Sequence, residues 1–336
     1  MLPRWLKRRY PVEIAKYILI NHWSIIRTML QPKKADGGAY KSAGSADQAA
    51  LRALQTAHEL YNRVKKISRR SMDLVVEVGP GDSIAMLLLW IGFGARTVWA
   101  VEAFGDPRDL RHEKAIVESL LRRVSPEEAE RIRAVVDLSA PELAVDPRRV
   151  LYIDNTRVEK LDRVLRPESA NAIISNATLE HVSGLKRALQ VMHTRLAPGG
   201  VMVHRVDLRN HGILARFGDE AFQRPPNWIW WLMGSGVGFP NRHRIDYYEQ
   251  VLQACGLTLE IEPTRKSAQG GKEQARPCSR EQCNGFWLTA YKESAQTEAQ
   301  PHPNRSRTRA TNLSGYSILS PVSFFHVLCQ FGAAFG

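Results

Sequence analysis

Cysteine is scarce, with four residues in 336 (Cys255, Cys278, Cys283 and Cys329), too few and too scattered for a disulfide framework. A small secreted fold stapled by disulfides is excluded, and a reducing, cytoplasmic compartment is expected. No metal is expected either, because Cys278 and Cys283 lack the second pair or nearby histidine that would complete four zinc ligands. Long apolar runs are also missing. Glu13, Lys16 and Arg27 interrupt the N-terminal stretch, whose longest uncharged run, Tyr17 to Ile26, has 10 residues where a bilayer crossing needs roughly 20. Neither a transmembrane helix nor a signal peptide is expected from it. Most of the chain, finally, has little excess charge. Residues 1–72 hold 15 Lys/Arg against 4 Asp/Glu, whereas the remainder nearly balances at 32 against 30, so +11 of the net +13 sits in an N-terminal arm. That distribution disfavours a basic nucleic-acid cleft through the main domain.

Within the arm, Tyr10, Ile14, Tyr17, Ile18 and Ile25 recur at helical spacing, with Trp5 and Trp23 nearby. Two readings stand: an interfacial helix whose lysines and arginines meet anionic headgroups, giving peripheral membrane contact through residues 1–30, or a helix packed on the domain or a partner copy. Gln31–Asp47 is rich in Gly, Ala, Ser and Lys and reads as a linker. Asp47 is then expected to cap a second helix bearing Leu51, Leu54, Ala57, Leu60, Tyr61 and Val64 on one face. Residues 1–70 form this arm and linker, 71–292 the main domain, and 293–336 a polar, then apolar, tail expected to be disordered.

From Asp73 the pattern becomes LVVEVG, PGDS, IAMLLLWIGFG and TVWAVEA: strand, glycine turn, helix, strand. Gly79-Pro80-Gly81 lets a ligand approach the backbone, and Asp82 or Ser83 can cap the following helix. Glu102 ends the next strand, 21 residues after Gly81, about where an acid meets ribose hydroxyls in nucleotide-binding folds. The third glycine of a dinucleotide fingerprint is replaced by Ile84, and the carboxylates of Glu77 and Asp82 frame the turn where a dinucleotide would place phosphate. A cationic ligand suits these acids better.

The run Glu77-Val-Gly79-Pro80-Gly81-Asp82-Ser83 resembles motif I of the class I S-adenosylmethionine-dependent methyltransferases. Further segments follow in the order of that family: RVLYID as a third strand, NTRVEKL as an adenine loop, NAIISN with ATLEHV as the fourth strand and its turn, and RLAPGG before a fifth strand, VMVHRVDL. The resemblance implies a Rossmann-like, doubly wound α/β sheet of seven strands, mostly parallel with an antiparallel last strand. It implies S-adenosyl-L-methionine as cofactor, held by Glu77, Gly79, Pro80, Gly81, Asp82 and Ser83. Glu102, Ala103, Val158, Glu159, Asn176 and Leu179 are expected to complete that site. Arg157 departs from the family's usual Asp in the adenine loop.

Methyl transfer to oxygen needs alignment, exclusion of water and a base. Ligands of doubly wound sheets sit past the carboxyl ends of the strands, so the candidates for base are His181, His211 and His204 in that order, with Asp207 able to orient an imidazole. PPNWIWWLMGSGVGFPNRHR adds aromatic faces beside Asn and Arg, suited to a small polar or glycan-like acceptor. Trp228, Trp231 and Tyr247 are the expected platforms, and Arg209, Arg242 and Arg244 would favour an acceptor bearing carboxylate or phosphate. The alternatives are an RNA methyltransferase tracking phosphate with the basic arm, a silent cofactor-binding module, and a dehydrogenase, which Ile84 disfavours. Nucleic acid is not the favoured partner, because Ser175-Asn176-Ala177-Thr178 stands where base-modifying enzymes commonly carry a Pro-Pro motif.

Overall fold

Leu74–Val78, apolar except for Glu77, form a strand (β1) buried at the centre of a sheet, as expected for a parallel strand covered on both faces. This computed structural model describes residues 4–30, 44–68, 71–104, 108–218, 220–235, 238–267, 274–280 and 283–292. The linker and tail expectations therefore lie wholly or mostly outside the described residues.

Two helices, α1 (Arg4–Leu30) and α2 (Ala46–Ile67), precede β1. There follow α3 (Ala85–Gly92), β2 (Thr97–Val101), α4 (Leu110–Leu121), α5 (Pro126–Arg133), a two-residue ribbon β3 (Val136–Asp137) with β4 (Ala144–Val145), and β5 (Val150–Ile153). The second half holds β6 (Ala170–Asn176), α6 (Leu185–Arg195), β7 (Leu196–Asp207), α7 (Asn227–Gly234), α8 (Ile245–Gln253), β8 (Thr258–Ser267), β9 (Gln274–Pro277) and β10 (Gly285–Tyr291). The sheet order is β5-β2-β1-β6-β7-β10-β8-β9, parallel from β5 to β7, with β10 antiparallel to both its neighbours.

This is the Rossmann-like sheet expected, with one addition. An eighth strand, β9, joins the edge because β8 runs on to Ser267 and β9 pairs antiparallel with its last four residues.

One sheet face packs on α2, α3 and α4, with Ala49, Ala53, Ala57, Leu60 and Val64 of α2 fully or almost fully buried. The second helix of the arm is thus part of the main core. Its cap is Ser45, whose hydroxyl accepts from Gln48 N at 3.2 Å, not Asp47, which sits in the first turn and accepts from Ser119 and Arg123. Arg63 and Lys66 pair with Glu262 and Glu260, each at 2.8 Å, so part of the basic charge of this segment is met within the molecule. The other face packs on α6 and α8. A third, smaller core joins Ile213, Leu214, Phe217, Phe222, Trp230 and Met233 to the Tyr10, Ile14, Tyr17 and Ile18 face of α1.

Tyr10 Oη donates to the Ala221 carbonyl at 2.8 Å, and the buried Asn21 donates to the Leu232 carbonyl at 2.9 Å, fixing α1 along α7. Of the two readings of the arm, packing on the domain describes the inner face of α1. No helix among the described residues is long and apolar enough to cross a membrane.

Candidate functional site

β1, β2, β6 and β7 are parallel, so their carboxyl ends share one edge of the sheet, the usual ligand position in such folds. A cavity of about 910 Å³ opens there, at the upper end of the range for small-molecule sites. Gly79, Gly81, Glu102, Ala103, Val158 and Glu159 line it on the side of the glycine turn, joined by Thr178 and His181. Trp230, Trp231, Phe239, Asn241, Arg242 and His243 line it on the side of α7.

The two glycines of the turn do different work. Gly79 has φ +67°, and a Cβ there would stand 2.3 Å from Cγ2 of Thr178, so this position needs glycine for packing as well as conformation. Gly81 has φ +73°, and a Cβ there would meet nothing within 4 Å; that open space belongs to the cavity the residue lines. Tyr152 Oη holds the Gly81 carbonyl at 3.1 Å.

Three buried acids surround the turn. Burial, reinforced by the nearby charge of Glu102, pushes the Glu77 carboxyl up to about 8, and its Oε2 has no hydrogen-bond partner. Burial also raises Glu102, against the opposing effect of amides from Phe104, Gly81 and Ala103. Burial carries Glu113 of α4 to about 7, although it accepts from Ile84 N at 2.8 Å and Ser83 Oγ at 3.3 Å. An orphaned carboxyl oxygen behind an open glycine turn fits a ligand that brings a hydrogen-bond partner to it, as the amino group of S-adenosylmethionine would.

Capping of α3 differs from expectation. The Glu113 carboxylate, 29 residues downstream, takes the Ile84 amide, and Ser83 Oγ accepts from Ala85 N at 3.1 Å. Pro80, Asp82 and Ser83 are buried and are not among the cavity-lining residues; neither are Asn176 and Leu179, the latter fully buried in the core. Ser83 helps hold the turn through its hydroxyl, which meets Ala85 N and Glu113.

The raised acids give a stability profile with a definite sign. Below about pH 4.5 these carboxyls are protonated in both folded and unfolded chains. As pH rises, the unfolded chain ionises first, and stability falls until the folded groups titrate near 7 and 8. Glu77→Gln is therefore expected to lose less melting temperature between pH 5 and pH 8 than the wild type, both measured without cofactor. An equal loss in the two proteins would refute the assignment.

The histidines separate sharply. His204 is fully buried in β7, registered against Ser175 of β6 and Leu288 of β10, with Nδ1 2.8 Å from Ser175 Oγ. Burial drives it down to about 3, so it stays neutral inside the sheet, away from the cavity, and is no candidate for base. Asp207 is not its partner. That carboxylate is gripped by Arg209, with Nε 3.0 Å from both oxygens and Nη2 2.6 Å from Oδ2. His181 does line the cavity, and its Nδ1 donates to the Gly238 carbonyl at 2.8 Å. Burial lowers its pKa, outweighing that hydrogen bond and the Asp207 charge. His211 lies with its ring centroid 5.0 Å from that of His181, on a backbone at φ +50°.

Of the expected acceptor contacts, Trp231 lines the cavity. Trp228 faces solvent outside it, Arg209 is held by Asp207, and Arg244 precedes α8 away from the main cavity. Tyr247 stacks on His243, which does line the cavity, at 3.8 Å. Arg242 reaches the wall, but its guanidinium donates to the carbonyls of Phe222 and Pro225 and to Asn227 and lies over the Trp230 ring. It staples α7 in place.

Sequence reasoning missed Thr178, Asn241 and His243. It also weighed cysteines alone as metal ligands. Glu180, His181 and His211 bring ligand atoms within 4.8 Å of one another, a grouping formed by two separate loops and invisible to spacing.

A parallel sheet with a glycine turn, an acid on the next strand and a cavity over the strand ends defines a Rossmann-like nucleotide-binding enzyme domain. The model of a methyltransferase-domain family matches residues 50–261, and the chain belongs to that family. It carries a methyltransferase domain. No curated protein matches it.

Similar solved structures include YcgJ from Bacillus subtilis, 12% identical over 71% of this chain and 99% of that one, with a TM-score of 0.41. Phosphoethanolamine N-methyltransferase 2 from Haemonchus contortus, in complex with S-adenosyl-L-methionine, is 13% identical over 71% of this chain and 53% of that one, with a TM-score of 0.40. An O-methyltransferase family protein from Burkholderia thailandensis is 11% identical over 84% of this chain and 72% of that one, with a TM-score of 0.38.

Proposed function

We propose that the protein methylates an oxygen of a small, polar, glycan-like acceptor, with His181 as the base. The observation that carries this reading is the tether of His181. A carbonyl only accepts, so Nδ1 bears the proton and Nε2 keeps its lone pair, in a side chain that lines the cavity. Although His181 keeps solvent exposure, desolvation in the cavity lowers its pKa, which favours the neutral, proton-accepting form at neutral pH.

When bound, S-adenosylmethionine supplies an electrophilic methyl group. Gly79, Gly81, Glu102, Ala103, Val158 and Glu159 are the residues that would hold it. Trp230, Trp231 and Phe239 offer apolar faces, and Asn241 and His243 polar edges, on the opposite wall. Since Arg242 spends its donors inside the molecule, a neutral acceptor suits the wall it stands in better than a carboxylate or phosphate.

Calorimetric titration with S-adenosylmethionine, its demethylated product and NAD tests the cofactor half. Binding of the first two without NAD is expected; preference for NAD would overturn the reading. Transfer of labelled methyl to polyols and sugars, with hydrolytic stability diagnostic of an ether, tests the acceptor half.

A further inference from the structure

The helix α1 is apolar on two sides. Its inner side, Tyr10, Ile14, Tyr17 and Ile18, is covered by the small core under α7. Its outer side carries Val12 (66% exposed), Leu19 (72%), Trp23 (68%) and Ile26 (49%). At 100° per residue these four positions fall within about 60° of one another, on the side opposite the packed face. Domain packing accounts for the first side and leaves the second facing water, an arrangement that costs free energy unless something covers it.

We infer that the outer side of α1 seats in the interface of an anionic lipid bilayer. Charge selects this occupant over a second copy. Between Arg4 and Leu30 there are six basic residues (Arg4, Lys7, Arg8, Arg9, Lys16 and Arg27) and one acid, Glu13, which is engaged by Arg216 and Lys16 of the same chain. Two copies meeting through this side in two-fold symmetry would bring like charges together, whereas anionic headgroups complement them. Exposed Lys16, Arg9 and Arg27 border the apolar strip on one side, as in helices that lie in the membrane plane. Phe104 (55% exposed) and Trp231 (65%) both line the active-site cavity, so its rim is aromatic too. Because α1 packs along α7, whose Trp230 and Trp231 form part of the cavity wall, a bilayer seat for α1 brings that wall close to the membrane surface.

The test is flotation of the full-length protein with vesicles of phosphatidylcholine alone or in equimolar mixture with phosphatidylglycerol. The protein is expected to float with the anionic vesicles, weakly with the neutral ones, and less as salt screens the attraction. The double variant Leu19→Glu with Trp23→Glu should partition at least about tenfold less, through lost apolar burial and added negative charge. Both sites are exposed and outside the cavity, so its melting temperature and its affinity for S-adenosylmethionine should be those of the wild type. Three results would overturn the inference: no flotation with anionic vesicles, equal flotation of the variant, or a wild-type dimer in light scattering that the variant converts to monomer. None of these readouts depends on methyl transfer.

Discussion

Gly81→Trp is expected to abolish S-adenosylmethionine binding in a protein that still folds, whereas Gly79→Val is expected to destabilise the fold itself. The contrast follows from what lies beside each glycine. A side chain at position 81 enters open cavity and competes with the ligand for space, at the cost of a backbone in the left-handed region, about 1–2 kcal/mol. A side chain at position 79 meets Thr178 at 2.3 Å, and that residue is itself fixed by hydrogen bonds to the Gly79 and Asn176 carbonyls at 3.3 Å. Calorimetric titration should show no heat with the cofactor for Gly81→Trp, while thermal melting should show a cooperative transition. For Gly79→Val the melting temperature should drop, by several degrees or more for losses above about 1 kcal/mol in a domain of this size. Retained cofactor affinity in Gly81→Trp would move the cofactor away from the turn.

His181→Ala is expected to lower kcat by about a hundredfold to ten-thousandfold, the usual range for loss of a general base, with cofactor affinity unchanged. The pH profile supplies the sharper test. Burial lowers the pKa of His181, so the neutral base persists below pH 6.5 and the acid limb of kcat/KM should lie under that value. The variant should lose the limb, and His211→Ala should keep it. An acid limb that survives in His181→Ala would assign the proton to another group.

The cofactor half of this site was legible in the sequence because its signals are local. A strand, a glycine pair and an acid 21 residues on form one continuous βαβ unit, and Leu74–Val78 is the strand the structure contains. The acceptor half was not. Both faces of β7 are covered, so alternation along VMVHRVDL says nothing about which way His204 points, and its neutral burial emerges only from its register with β6 and β10. Arg209 and Arg242 read as ligand donors until their partners are known; the Phe222 carbonyl that engages Arg242 lies 20 residues away. Glu113 belongs to the same class, since its anchoring of Ile84 spans an intervening strand and helix.

The helix periodicity of the arm gave the inner face of α1 correctly. It could not register the outer one, because two opposed apolar stripes cancel in any one-sided measure of amphipathicity.

The small core shared by α1, α7 and residues 213–222 contains no buried residue of the two cores that sandwich the sheet. The cavity wall built on α7 and the wall built on the glycine turn therefore rest on separately packed cores, and substitutions in one core should combine additively with those in the other.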